Sequence, residues 1–409
     1  MKTLKRWITG MVGCGILAGI PSLFAQDWPQ WRGPGRDGKV TGFTAPEKWP
    51  SELKPKWKIT VGAGDATPAL VGDKLYVFTR QDSDEVTLCL NAADGKELWR
   101  DKYEARAVTG GAASHPGPRS SPAVAEGKVV TLGVGGVLSC LNAADGKLLW
   151  RKDEFPNVVP RFFTSDSPLI SDGMVIAHVG GSGNGAMIAF DLATGAEKWR
   201  WAGEGPAYAS PTLMTVAGVK QVVGLTEKSL VGIGLADGKL LWQLSFPPQG
   251  MAQNASTVIV DGQTVYYTGA GAGRGTKAAK IEKEGDGFTA KELWTNQLAT
   301  QFNSPVLKNG LLFGLSSRGN LFCINAKTGE PAWTDTASHG NFGAMLDAGS
   351  VILALPKDGE LIAFKPSDKG YEETAKIKLA DTETYACPVI AGNRIFMKDK
   401  DSVALLSMD

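Results

Sequence analysis

The 409-residue chain is poor in the side chains that build most catalytic centres, with three histidines and five cysteines. His115, His178 and His339 are scattered, so no zinc-type ligand spacing can be read from them. There is no CxxC pair, no CxxCH run and no adjacent pair of cysteines, which removes metal-ribbon, dithiol and attached-haem readings. An excess of one charge is also missing. Forty-three Lys and Arg against 42 Asp and Glu leave a net charge of +1, too little to form an electrostatic footprint for nucleic acid. Sustained helical periodicity is absent beyond the first 25 residues. What is plentiful is Gly, at 51, and Trp, at 12, a mixture that suits many tight turns and much buried aromatic surface.

The first 25 residues stand apart. Lys2, Lys5 and Arg6 precede an apolar run, WITGMVGCGILAGI, and PSLFA ends at Ala25. A basic start, an apolar middle and a small residue before the cut describe a signal peptide, residues 1–25, and an exported protein of the periplasm or cell envelope. MVGC, ending at Cys14, resembles a lipoprotein signal, so lipidation there is the alternative to cleavage after Ala25. Membrane association follows only if the chain is lipidated or uncleaved. Cleavage after Ala25 removes three cations and no acid, taking the net charge from +1 to −2. Of the four remaining cysteines, Cys89, Cys140 and Cys323 hold one equivalent apolar position in three repeats, so they read as small buried hydrophobes rather than disulfide partners.

Repetition is the dominant signal. Cys89–Arg100 reads CLNAADGKELWR and Cys140–Arg151 reads CLNAADGKLLWR, with one difference in twelve positions. Weaker copies run from Asp191, Gly234 and Ile324, each with a Gly four residues before a Trp, and KELW near Lys291 is a remnant. Trp99, Trp150, Trp199, Trp242, Trp294 and Trp333 are separated by 51, 49, 43, 52 and 39 residues, a period of stacked supersecondary units. A second mark, Ser-Pro or its equivalent, opens eight units at Thr67, Ser121, Ser167, Ser210, Ser256, Ser304, Gly343 and Cys387. Each unit gives a short apolar strand, a Gly/Asp/Asn turn, two more strands, a DG-type hairpin and a fourth strand carrying the Trp. The expected fold is all-β: an eight-bladed β-propeller of four-stranded antiparallel blades, with seven blades as the fallback. The eighth unit lacks its last strand. Leu53–Gly62, with Trp57 at the matching place, is expected to supply it and tie the chain ends together. Residues 26–52 form a lead-in and 53–409 the propeller. The seven tryptophans, Trp57 included, are expected to wedge blade against blade.

The A-x-D-G-x-x-x-W pattern resembles the tryptophan-docking repeat of PQQ-like (quinoprotein-type) propellers. These include quinoprotein alcohol dehydrogenases and the propeller lipoprotein of the outer-membrane β-barrel assembly machinery. Asp27–Gly38, DWPQWRGPGRDG, is similar to the W-P-x-[YW]-x-G lead-in of the dehydrogenases. Its plain reading is a plug, with Trp28 and Trp31 on the propeller wall and Gly33, Pro34 and Gly35 shaping the turn; a ligand-facing role for Arg32 or Arg36 is the other. Many of the dehydrogenases stack their quinone on an adjacent Cys pair, which this chain lacks. KDKD near the carboxyl end reads as a solvated turn rather than part of a Ca²⁺ site. The resemblance therefore implies a non-catalytic scaffold for protein interaction or ligand binding in the envelope, outer-membrane protein assembly included, with no cofactor. The alternative is a PQQ-dependent alcohol or sugar dehydrogenase, carrying PQQ with Ca²⁺.

In a propeller, the loop entering each innermost strand lies near the central channel. The third residue before each Pro-equivalent then forms a ring of Asp65, Arg119, Ser165, Tyr208, Asn254, Phe302, Asn341 and Tyr385, with Asp166 and Asn303 one step closer to their strands. Two incoming loops are long, one with His115 and Arg119, the other with Arg161, Phe162, Phe163 and Asp166. These groups suit a small polar ligand or an envelope protein, and they equally suit a water-filled channel. GAGAGRG, Gly269–Gly275, mimics a phosphate loop but has no helix after it, so it reads as an intra-blade loop. The expected assembly state is monomeric.

Overall fold

The computed structural model describes residues 27–408; the expected signal peptide, with Cys14 and Ala25, lies outside the described residues. Thirty-two strands form eight four-stranded antiparallel sheets, the blades of a closed propeller. Blades I to VII span residues 69–104, 123–152, 169–201, 212–245, 259–296, 306–334 and 343–378. In each, four consecutive strands pair in chain order. Blade VIII takes three strands, Val389–Ala391, Arg394–Lys398 and Ser402–Ser407, from the carboxyl end and its outermost strand, Pro55–Thr60, from the amino end. Trp57 pairs with Leu405 and Ile59 with Val403 across that seam. The ring thus closes by the pairing of its own two ends, with eight blades.

Two kinds of turn shape each blade. The first hairpin often uses two residues with positive φ, such as Glu126 (50°) and Gly127 (68°), or Asn309 (50°) and Gly310 (74°). That backbone matches the right-handed twist of the flanking strands. The DG turn differs from the tight hairpin its sequence suggests. In blade I it is a wider loop: Gly95 N–H donates to Asn91 O at 2.8 Å, and Asn91 N–H to Lys96 O at 2.8 Å. The Asn91 and Asp94 carboxamide and carboxylate oxygens accept from Ala93 and Lys96 N–H at 2.8 and 3.0 Å.

The reason lies in the neighbouring blade. A Cβ on Gly146 would sit 2.5 Å from the Trp99 ring, and one on Gly195 would sit 2.8 Å from Trp150. Each of the five indoles Trp57, Trp99, Trp150, Trp199 and Trp294 therefore lies on the glycine of the next blade's turn. Its Nε1–H donates to a carbonyl in the same turn: Trp57 to Ala92 at 3.2 Å, Trp99 to Ala143 at 3.3 Å, Trp150 to Leu192 at 3.1 Å, Trp199 to Leu235 at 2.8 Å and Trp294 to Ala326 at 3.0 Å. Trp333 reaches Ser367 O at 2.7 Å. Trp242 is different, donating within its own blade to Gln221 Oε1 at 2.6 Å. The blade V turn that would receive it, at Gly285 and Asp286, stands at the tip of a long hairpin, and Phe288 and Ala290 of that hairpin pack on the Trp242 cluster instead. In blade VII the Trp place beside the bulge falls to Ala375, paired with Ala363, while Ile377, two residues on, pairs with Leu361 and is buried.

The Ser-Pro mark has a structural use as well. Ser121 N–H donates to Ser167 Oγ and Ser167 N–H to Ser210 Oγ, both at 2.9 Å, and Cys387 N–H donates to Thr67 Oγ1 at 2.9 Å. These bonds link adjacent blades around the channel. Cys89, Cys140, Cys323 and Cys387 are buried and unpaired.

Candidate functional site

The lead-in closes one end of the channel. Trp28 pairs through its main chain with Leu70 at 2.8 and 2.9 Å, and Val124 N–H donates to Pro29 O at 2.8 Å. Trp31 Nε1–H donates to Thr257 Oγ1 at 2.9 Å. Arg32 and Arg36, both buried and both with positive φ, act as spokes. The Arg32 guanidinium donates to Ser304 O and Pro305 O at 3.0 and 2.7 Å, and that of Arg36 to Pro168 O and Ser167 O at 2.9 and 3.0 Å. Blades on all sides are thereby tied to one central turn, as the plug reading expects. Arg32 additionally borders the cavity above the plug.

That cavity has a volume of about 760 Å³. Seven members of the expected ring line it: Asp65, Arg119, Ser165, Tyr208, Phe302, Asn341 and Tyr385. His115 and Asn303 join them. Arg161, Asp166 and Asn254 do not. Arg161 is exposed on the rim, its guanidinium 5.3 Å from the Phe162 ring centre. Asn254 is buried and points sideways, its Nδ2 donating to Thr226 O and Phe246 O at 3.0 and 3.1 Å while Arg274 donates to its Oδ1. Asp166 is 1% exposed, and its carboxyl oxygens meet no donor at hydrogen-bond geometry. Burial pushes its pKa up to about 7, opposed first by the nearby main-chain N–H groups of Asp166 and His178 and then by the Arg36 charge.

The cavity wall mixes aromatic and polar groups. Phe302 stacks on Phe342, ring centres 4.2 Å apart and planes 3° from parallel. Tyr385 meets Phe342 edge-on at 5.2 Å and His115 at 4.7 Å. His115 Nδ1 lies 2.8 Å from Asp65 Oδ2, and that hydrogen bond raises the imidazole pKa. Arg119 staples the two long rim loops, donating to Phe162 O at 2.9 Å and His115 O at 2.8 Å. Val108, Ala112, Val134, Val159, Phe162 and Phe163 give those loops a small apolar core of their own. Phe342, Gln253 and Gln301 also line the cavity and were not singled out by sequence; each is one residue from a ring position, which was the available signal.

Two sequence expectations elsewhere have clear outcomes. GAGAGRG lies between strands Thr264–Gly269 and Gly275–Glu284 of blade V, an intra-blade loop as expected. KDKD is only half a solvated turn: Lys400 and Asp401 are exposed, but the first two residues are not. Lys398 is fully buried, and its Nζ donates to Gly62 O, Asp399 O and Lys400 O at 3.2, 2.8 and 3.3 Å. Asp399 is buried beside it and accepts from Lys58 Nζ at 2.9 Å.

A quinone with its Ca²⁺ calls for converging oxygen ligands and, in many dehydrogenases, a cysteine pair. Cys387 stands alone on this cavity wall, its thiol pKa pushed up to about 12 by burial. Among the described residues no three His, Cys, Asp or Glu side chains converge. These residues do not fit the quinone–calcium pair. No helix among the described residues is long and apolar enough to cross a membrane.

Fold, docking tryptophans and central plug together define a PQQ-like eight-bladed propeller. The family model described as "Outer membrane protein assembly factor BamB" matches residues 84–335 and 286–409, and the chain belongs to that family. The outer membrane protein assembly factor BamB of Yersinia pestis is 24% identical over 388 residues, covering 90% of this chain and 82% of the relative. BamB of Moraxella catarrhalis superposes with a TM-score of 0.63 at 16% identity, covering 87% of this chain and 99% of that one. Quinohemoprotein alcohol dehydrogenase of Comamonas testosteroni gives 0.68 at 14% identity, covering 94% and 80%. At such identities the two solved structures share the fold alone.

Proposed function

We propose that this protein is an exported, non-catalytic propeller that serves as an interaction scaffold in the bacterial cell envelope, in the assembly of outer-membrane proteins. The observation that carries the reading is the match to the assembly-factor family, at nearly full length in both chains for the Yersinia pestis relative. The cavity chemistry supports it, because the donor set suits no quinone–calcium pair. A scaffold of this kind needs a rigid frame, which the plug and the interlocked blades provide, and exposed loops of individual sequence, which the rim provides. The test is deletion of the gene in its host with quantification of outer-membrane proteins, alongside crosslinking of the tagged protein in intact envelopes. Depleted outer-membrane proteins and a crosslink to the assembly machinery are expected. An unchanged outer-membrane proteome, or dye reduction with alcohols or sugars that depends on added PQQ and Ca²⁺, overturns the reading.

A further inference from the structure

We propose that the central cup binds a short, uncharged glycan, a mono- to trisaccharide. The inference stands on the cavity and goes beyond the assembly role. The lead-in seals one end, so the space is a cup with one mouth rather than a channel. Its volume of about 760 Å³ lies within the range of small-ligand sites, roughly 300–1,000 Å³.

The lining has the two surfaces a pyranose presents a need for. Sugar rings carry apolar C–H faces and a girdle of hydroxyls that donate and accept. For the faces, Phe302 and Phe342 form a parallel stack, with Tyr385 at its edge and Phe162 across the cup. For the girdle, Ser165, Gln301 and Asn341 border the cavity and make no side-chain hydrogen bond within the described chain. Asn303 frames the same wall. It is 4% exposed, its Nδ2 donates to Leu315 O at 2.8 Å, and its Oδ1 has no partner.

The charges argue against other occupants. The Arg119 and Arg32 guanidiniums are spent on main-chain carbonyls, and Asp65 is paired with His115. A compact polyanion would find no uncommitted cation on the wall. An extended peptide needs an open groove or a free strand edge, and the plug residues Trp31 and Arg32 border this cup. What remains is a neutral ligand rich in hydroxyls, with Asp65 Oδ1 as one further acceptor.

The test uses the mature full chain and a panel of maltotriose, cellotriose, N,N′,N″-triacetylchitotriose, glucose and trigalacturonate, followed by calorimetry and by the fluorescence of the tryptophans, Trp31 of which lies on the cup wall. Saturable binding of at least one neutral sugar is expected, with Kd of about 1 mM or below. Phe302→Ala and Asn341→Ala should each weaken it by about tenfold with an unchanged melting curve. Should Phe302→Ala fail to fold, Asn341→Ala and saturation-transfer NMR on the wild type decide. No response to any neutral sugar, binding of trigalacturonate alone, or binding untouched by Asn341→Ala overturns the proposal. None of these outcomes bears on the crosslinks and outer-membrane protein levels that test the scaffold role.

Discussion

At the scale of single residues, the Trp–Gly contact joins blade to blade. Trp150 is buried against Gly195 and bonded to Leu192 O, so truncation to Ala should cost about 3–5 kcal/mol, read as a shift in the urea midpoint. The receiving glycine is equally demanding, because Gly146 combines φ of +75° with the Trp99 ring 2.5 Å from where a Cβ would stand. Gly146→Val should destabilise by at least about 2 kcal/mol, whereas Gly72→Ala, with open space around it, should pay for its positive φ alone. Asp166 offers a different test. Its folded pKa of about 7 stands above the unfolded value of about 3.9. Between those values the folded chain holds a proton that the unfolded chain has lost, so stability falls as pH rises through the window. Asp166→Asn has no charge to lose. It should therefore match the wild type near pH 4 and exceed it by on the order of a few kcal/mol at pH 8, measured by melting both proteins across that range. The tryptophan spacing was legible in sequence because five copies, Trp57, Trp99, Trp150, Trp199 and Trp294, meet the same neighbour, a turn glycine. The inward or sideways aim of Asp166 and Asn254 was not, since one residue's step along an extended backbone turns a side chain to the opposite face.

At the scale of elements, the lead-in turns a ring with a hole into a cup. Its two arginines reach carbonyls at the entrances of blades III and VI, which are far apart in sequence, and fix those strands relative to one another. Buried hydrogen bonds to a charged group contribute about 1.5–3 kcal/mol each, so Arg36→Met should lower stability measurably and raise hydrogen exchange at Val124 and Leu70 more than in the outer strands. A uniform loss of protection across all blades would contradict that local role. The plug reading was available from Trp28 and Trp31 beside a Gly-Pro-Gly turn. The spoke geometry was not, because main-chain carbonyls leave no mark in a sequence. The same blindness explains Lys398. A run of alternating charges looks solvated, but Gly62, 336 residues away, brings a carbonyl onto its Nζ only once the chain ends have met.

At the scale of the whole molecule, ring closure decides whether the blades fold as one unit. Ser402–Ser407 is buried along its length, and its outer hydrogen-bonding edge is covered by Pro55–Thr60. An uncovered apolar strand edge is a template for pairing with another chain. The seam is held further by Lys58 on Asp399 at 2.9 Å and by Lys398 on Gly62 O, so residues 55–62 contribute pairing, an ion pair and a carbonyl to a buried cation at once. Closing a loop that spans nearly the whole chain is entropically unfavourable, but that cost grows only with the logarithm of its length, and it is met once. A chain truncated before Ser51 should fold and remain monomeric if closure needs only the strand, though without its plug. A chain truncated before Ala63 should lose the cooperative melting transition and associate through the bared strand. Size-exclusion chromatography with light scattering, alongside thermal melts of the two truncations, separates these cases. A monomeric, cooperatively melting chain that starts at Ala63 would show that blade VIII stands on three strands, and that the amino-terminal strand serves the plug and cup rather than the ring.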